Sequence, residues 1–251
     1  MAPPPGLTSA EYADPFNTAF DQIRENIRTA IDSFNSLVST VNHWSWAFGL
    51  AAWYWIKRNL DGVREGLATI IDKVNYAAEH QMPVLSLITT SFDWVYTVKT
   101  PTSDLSFATT EPRNENLAKW TGDAASSYNA KATKQKAAVD ETVVKAEFIS
   151  QWLFKIAKAN VDFAVALAKI VNDIAGKLAQ AALDATTVID IPWAIDKLSD
   201  SLGTVVKGGL DTLVSIGQRF VEALGNVRDL HSQVGDHSKL PNGAWPQAVS
   251  G

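Results

Sequence analysis

The sequence predicts an all-α protein: an elongated antiparallel bundle of about four long helices with a bend at a Trp-x-Gly triplet. Three observations predict it. Apolar residues recur at alternating steps of three and four along most of the 251 residues. Helix-breaking signals at Gly49, over 99–113 and at Asp190-Ile191-Pro192 separate the seams. No stretch alternates with a period of two for long enough to make a sheet.

The first helix is expected over 14–48. Its seam runs Phe16, Phe20, Ile23, Ile27, Ala30, Phe34, Leu37, Val41, Trp44 and Phe48, the coiled-coil period. Asp14 before Pro15 reads as an N-cap followed by a ring pre-set for the first turn. Gly49 is the natural interruption. The second helix is expected over 50–98, on Trp53, Ile56, Leu60, Val63, Leu67, Ile70, Val74 and Ala77. Pro83 should kink or end it near Met82, after which Leu85, Ile88, Phe92 and Val95 continue the pattern.

Lys99 to Arg113, with two Pro and a Ser/Thr cluster, reads as a loop. A long helix follows over 114–188. Its face carries Tyr128, Ala132, Val139, Ala146, Ile149, Leu153, Ile156, Asn160, Phe163, Leu167, Ile170, Ile174 and Leu178, with Gln135 and Thr142 as polar members. Sixty helical residues would span about 90 Å, and the Ala- and Lys-rich composition favours helix. Asn160 on this seam either fixes register or sits at its edge. Asp190-Ile191-Pro192 marks a restart, and a last helix over 192–232 uses Ile195, Leu198, Leu202, Val206, Leu210, Leu213, Phe220, Leu224 and Val227. Four glycines, at 203, 208, 209 and 217, make it the weakest of the set. Residues 1–13 and 235–251 are expected to be flexible flanks of a single domain over 14–234.

Composition narrows the chemistry. Zero Cys excludes a disulfide framework, zinc ribbons, iron–sulfur clusters and thiol catalysis. A net charge of −5 argues against a nucleic-acid partner, which usually meets a basic face. The four histidines, His43, His80, His231 and His237, include no helical i, i+4 metal pair. His231 and His237 flank Asp236, a pattern better read as solvated surface than as a metal site, and His43 is expected half-buried beside the Trp-rich turn. Nucleophile-elbow, phosphate-loop and dinucleotide motifs are absent. The chain is therefore expected to be no enzyme, with no cofactor and no metal.

The nine Trp carry more information. Trp44 and Trp53 fall on seams and are expected in the core. Trp46, Tyr54 and Trp55 lie off them, and must pack on a third helix, meet a protein partner, or sit at a lipid–water boundary. The apolar run Trp44–Ile56 is 13 residues long, short of the roughly 20 that a spanning helix needs. The N-terminus, MAPPPGLTSAEYADP, has neither the basic nor the apolar region of a secretory signal.

Trp120-Thr121-Gly122 stands where a loop feeds a helix. Glycine permits a tight backbone there, Asp123 suits the positive end of a helix, and a Trp can anchor two helix ends. On the reading of a buried ring, Trp120→Ala would cost roughly 3–5 kcal/mol.

Trp120-x-Gly122, followed by Ala124-Ala125 and Tyr128 ahead of a long helix, resembles the Trp-x-Gly family of small helical proteins exported by type VII secretion in actinobacteria and some firmicutes. The close match covers about 117–145; the rest is similar in architecture, as in longer PPE-like or fused relatives. The resemblance implies helical hairpins that pair into bundles, action through protein–protein contacts or self-association, and export or a cell-surface location without a cleavable signal. A cytoplasmic relative is the alternative location. The family's signal, a Tyr with an acidic residue four positions on, is missing: Tyr12, Tyr54, Tyr76, Tyr96 and Tyr128 precede Phe16, Arg58, His80, Thr100 and Ala132 at that distance. Export would then depend on a partner carrying it. The competing function is a membrane-active or pore-forming helical protein that uses Trp44–Ile56 after a conformational change.

Overall fold

The computed structural model describes residues 8–79, 82–108, 115–225 and 227–247, with the side chains of a few positions inside helices excepted. Among them there is no strand. The helices are α1 (Ser9–His43), α2 (Leu50–Glu79), α3 (Met82–Asp93), α4 (Thr100–Ala108), α5 (Glu115–Ala118), α6 (Asp123–Asp184), α7 (Asp190–Gly225) and α8 (Val227–Gly235). A π-helical turn, Trp94–Lys99, joins α3 to α4, and 3-10 turns occur at Ser45–Ala47 and Pro241–Gly243. The chain gathers into two compact units.

One unit holds Ala10–Val84 and Ala159–Phe220. The α1 seam is its spine: Phe16, Phe20, Ile23, Ala30, Phe34, Leu37 and Val41 are all buried. Asp14-Pro15 does not start the helix. Thr8-Ser9-Ala10-Glu11 has the sequence of a capping box, and α1 begins at Ser9, leaving Pro15 inside the helix. The seam also ends sooner than the pattern suggests. α1 stops at His43, and Trp44 and Phe48 belong to the connection, both half-buried. α2 buries Ile56, Leu60, Val63, Ile70 and Val74, and its Arg64 guanidinium lies 5.9 Å from the Phe34 ring of α1. Leu167, Ile170, Ile174 and Leu178 of α6, and Ile191, Ile195, Leu198 and Leu202 at the start of α7, are all buried, and Ile170 stands against Gly209 of α7. That start is capped: the Thr187 hydroxyl donates to the Asp190 carboxylate at 2.5 Å, and the backbone N–H groups of Asp190 and Ile191 reach the Thr187 carbonyl at 3.1 Å. Pro192 falls in the first turn, where its missing N–H has no helical partner to lose.

The other unit holds Leu85–Lys158 and the chain from Val221 on. Here the expected loop from Lys99 is helical through Ala108. The Thr97 hydroxyl donates to the Asp93 carbonyl at 2.6 Å and the Thr100 hydroxyl to the Val95 carbonyl at 2.9 Å. Of the threonines that suggested a loop, Thr100 therefore bonds back onto the helix, as Thr97 does just before it. The segment runs antiparallel to α6. The buried Ser150 hydroxyl donates to the Ser91 carbonyl at 2.7 Å, Phe92 meets Phe154 edge-on at 6.2 Å, Lys99 pairs with Glu147, and Ser106 donates to Asp140. Rising numbers on one side meet falling numbers on the other.

Over the expected last helix, the described residues are helical in α7 and again in α8. The chain after it is tied to α6 rather than loose. Gln135 donates to the Pro246 carbonyl at 3.2 Å, and Lys145 donates to the carbonyls of Val234, at 3.1 Å, and Asp236. Residues 1–7, His80, 109–114 and 248–251, and the side chains of Ala77, Leu210, Leu213, Phe220 and Leu224, lie outside the described residues.

Candidate functional sites

The Trp-x-Gly triplet stands between α5 and α6. Trp120 and Thr121 are non-helical, and the Trp120 N–H bonds the Leu117 carbonyl at 3.3 Å, ending α5. Gly122 has φ +99°, a backbone that only glycine adopts without strain. Its carbonyl accepts the Ser126 N–H at 3.0 Å and so opens α6. Five residues on from Asp123, Tyr128 places its ring 5.8 Å from that of Trp120, the planes tilted by 49°. The three motif residues, Trp120, Gly122 and Tyr128, thus form one local arrangement. It is not buried: Trp120 is 43% exposed and Tyr128 47%, with Leu117 also exposed beside them. Only Ala125 of this turn is buried. The expectation of a buried anchor is corrected. α4 meets α6 at Asp140, more than three turns further along, so Tyr128 lies beyond that packing although it shares the seam's register.

The second candidate is the connection between α1 and α2. Trp44 lies 5.1 Å from the His43 ring, edge-on, and 6.1 Å from Trp46. Trp44 and Trp53, expected in the core, are only half-buried, and His43 is exposed. Trp46 is 77% exposed, Tyr54 71% and Trp55 37%. Intrachain packing, the first of the three expected roles, therefore does not account for Trp46 and Tyr54. Leu50, 90% exposed, belongs with them. Periodicity passed over Leu50 because it lies off the seam. Its signal was its place directly after Gly49 at the head of an uncharged run. The α6–α7 turn also exposes Leu183, Ile189 and Trp193, with the Lys197 ammonium 4.6 Å from the Trp193 ring. The two motif groups belong to different compact units.

Ionisable groups make structural ties. Hydrogen bonds from Lys136 and then Ser106 hold the Asp140 carboxyl below its usual range. Burial pushes the Glu147 carboxyl up, but hydrogen bonds from Lys99 and Gln151 outweigh it and the net direction is down. Among the described residues no three His, Cys, Asp or Glu side chains are grouped to hold a metal. His231 and His237 are exposed. Two grooves exist in the unit of α1 and α2. One of about 570 Å³ runs between α6 and α7 past Asp173, Lys177, Gln180 and Lys197. One of about 940 Å³ lies between α1 and α6 past Glu11, Asp14, Gln22 and Lys169. Both have mixed charge.

No protein family, no curated protein and no solved structure matches this chain.

Proposed function

We propose that the chain is a non-catalytic interaction protein, a substrate or accessory component of type VII secretion that works through protein–protein contacts. The observation that carries this reading is the place of the motif. Trp120-x-Gly122 directly precedes the long helix α6, with Trp120 against Tyr128 and both rings half open to solvent. Half-exposed aromatic pairs on a fixed backbone are the surfaces that protein partners use, because they contribute apolar area at little further cost in side-chain entropy. Gly122 fixes that backbone through its positive φ. The missing Tyr-x-x-x-acidic signal gives the partner a role: it supplies the address for both chains.

The test is export from an actinobacterial host with a working type VII system, compared with the same host lacking the secretion ATPase. The chain is expected in the culture filtrate of the first only, together with a bound partner. Trp120→Ala and Gly122→Ala should each deplete it while the cell-associated chain stays folded. Equal amounts in the two filtrates, absence from both, or indifference to both substitutions overturns the proposal.

A further inference from the structure

α2 begins before its packing does. From Leu50 to Tyr54 and Trp55 every side chain is apolar or aromatic, and an α-helix turns once in about 3.6 residues. These six residues therefore present apolar groups in every direction. Leu50, Ala51, Ala52, Tyr54 and Trp55 are exposed, Trp53 is half-buried, and full burial begins only at Ile56. A helix that is hydrophobic all round belongs in an apolar surrounding. The adjoining 3-10 turn adds Trp46 to the same exposed apex.

Charge points the same way. The chain carries −5, yet no carboxylate occurs between Asp32 and Asp61. The formal charges in that interval are Lys57 and Arg58, both exposed, immediately behind the aromatic apex. Trp and Tyr favour the headgroup level of a bilayer, and basic residues behind them favour anionic lipid.

We propose that the α1–α2 turn is a lipid-docking tip. It seats Trp46, Leu50, Tyr54 and Trp55 at the headgroup–acyl boundary of an anionic membrane surface, with Lys57 and Arg58 against lipid phosphates. A protein groove would cover one stripe of α2 and leave its other sides wet. A bilayer surface takes up the wider arc of Leu50, Ala51, Ala52, Tyr54 and Trp55 that this apex exposes. Docking engages one leaflet: the apolar run Trp44–Ile56 is 13 residues, and no described helix is long and apolar enough to cross a membrane. The tip is exposed in the folded state, so docking needs no prior unfolding. The inference is independent of the export reading, since a chain that is never exported still docks.

The experiment is co-sedimentation of the full chain with vesicles of phosphatidylcholine alone and of phosphatidylcholine with phosphatidylglycerol, at low and high salt. Binding is expected on the mixed vesicles and should weaken with salt. Leu50→Asp and Trp46→Ser should each lower the partition coefficient at least about tenfold, the scale of withdrawing one large apolar side chain from lipid. Lys57→Ala and Arg58→Ala should each lower it about fivefold, and on anionic vesicles only. Leu50 and Trp46 are exposed enough that their variants should melt as the wild type does. A wild-type chain that stays in the supernatant of both vesicle types overturns the proposal. So does a folded Leu50→Asp chain that binds like the wild type.

Discussion

Gly209 of α7 lies so close to Ile170 of α6 that a Cβ added to it would stand 2.9 Å from both Cδ1 and Cγ1 of the isoleucine. The β-branched neighbour is stiff at χ1 and cannot swing aside cheaply. Gly209→Ala is therefore expected to destabilise the protein by about 1–3 kcal/mol. The adjacent Gly208 and the nearby Gly203 have open space around them. There Ala should stabilise by about 0.4–1 kcal/mol, through helix propensity and the unfolded chain. Urea midpoints of the three variants should move in opposite directions. A neutral Gly209→Ala would show that the two helices do not approach this closely in solution.

Trp120 is half open and touches Tyr128. Its truncation to Ala is expected to cost about 0.5–1.5 kcal/mol, the worth of an aromatic pair, rather than the loss typical of a buried ring. Gly122 makes no close contact, so Gly122→Ala acts through the backbone alone, at about 1–2 kcal/mol. Asn, which visits positive φ more readily, should recover part of that. Thermal melts of the three variants decide the order.

Ser150 is buried and gives its proton to the Ser91 carbonyl. Ser150→Ala removes that donor without adding volume. The expected loss is about 1 kcal/mol, read as a lower urea midpoint with an unchanged slope. No loss would mean that the carbonyl finds another donor.

Acid should weaken the unit around α3 and α4. Asp140 and Glu147 both sit below their ordinary carboxyl values in the folded chain. A folded pKa below the unfolded one stabilises above the unfolded value, about pH 4 to 4.5. That contribution is lost as pH falls through the lower, folded values. The urea midpoint is therefore expected to drop on acidification toward about pH 3. Glu147→Gln should start lower at neutral pH and fall less, so that the two curves converge. Parallel curves would remove Glu147 from the account.

The helices were legible where burial and period coincide. Phe16 to Val41 and Ile56 to Val74 form seams whose members are mostly buried. The segment from Thr100 to Ala108 was not legible, because Thr and Pro read as loop while Thr97 and Thr100 bond back to their own helix. The exposure of Trp120 and Tyr128 was not legible either. Tyr128 shares the seam's register, and register cannot reveal where a neighbouring helix ends. For the same reason Trp44 and Trp53 looked like core. Periodicity marks which face of a helix would pack, not how far along it the packing reaches.

The π-helical turn at Trp94–Lys99 acts as a phase adjuster. One extra residue in a helical path turns everything after it by about 100°. Lys99 and Ser106 reach Glu147 and Asp140 with that rotation in place. Deleting one residue from this stretch would restore a regular ladder and point α4 away from both partners. The bulge is thus the device that lets one continuous helical path bring Lys99 and Ser106 to Glu147 and Asp140 of the same long neighbour.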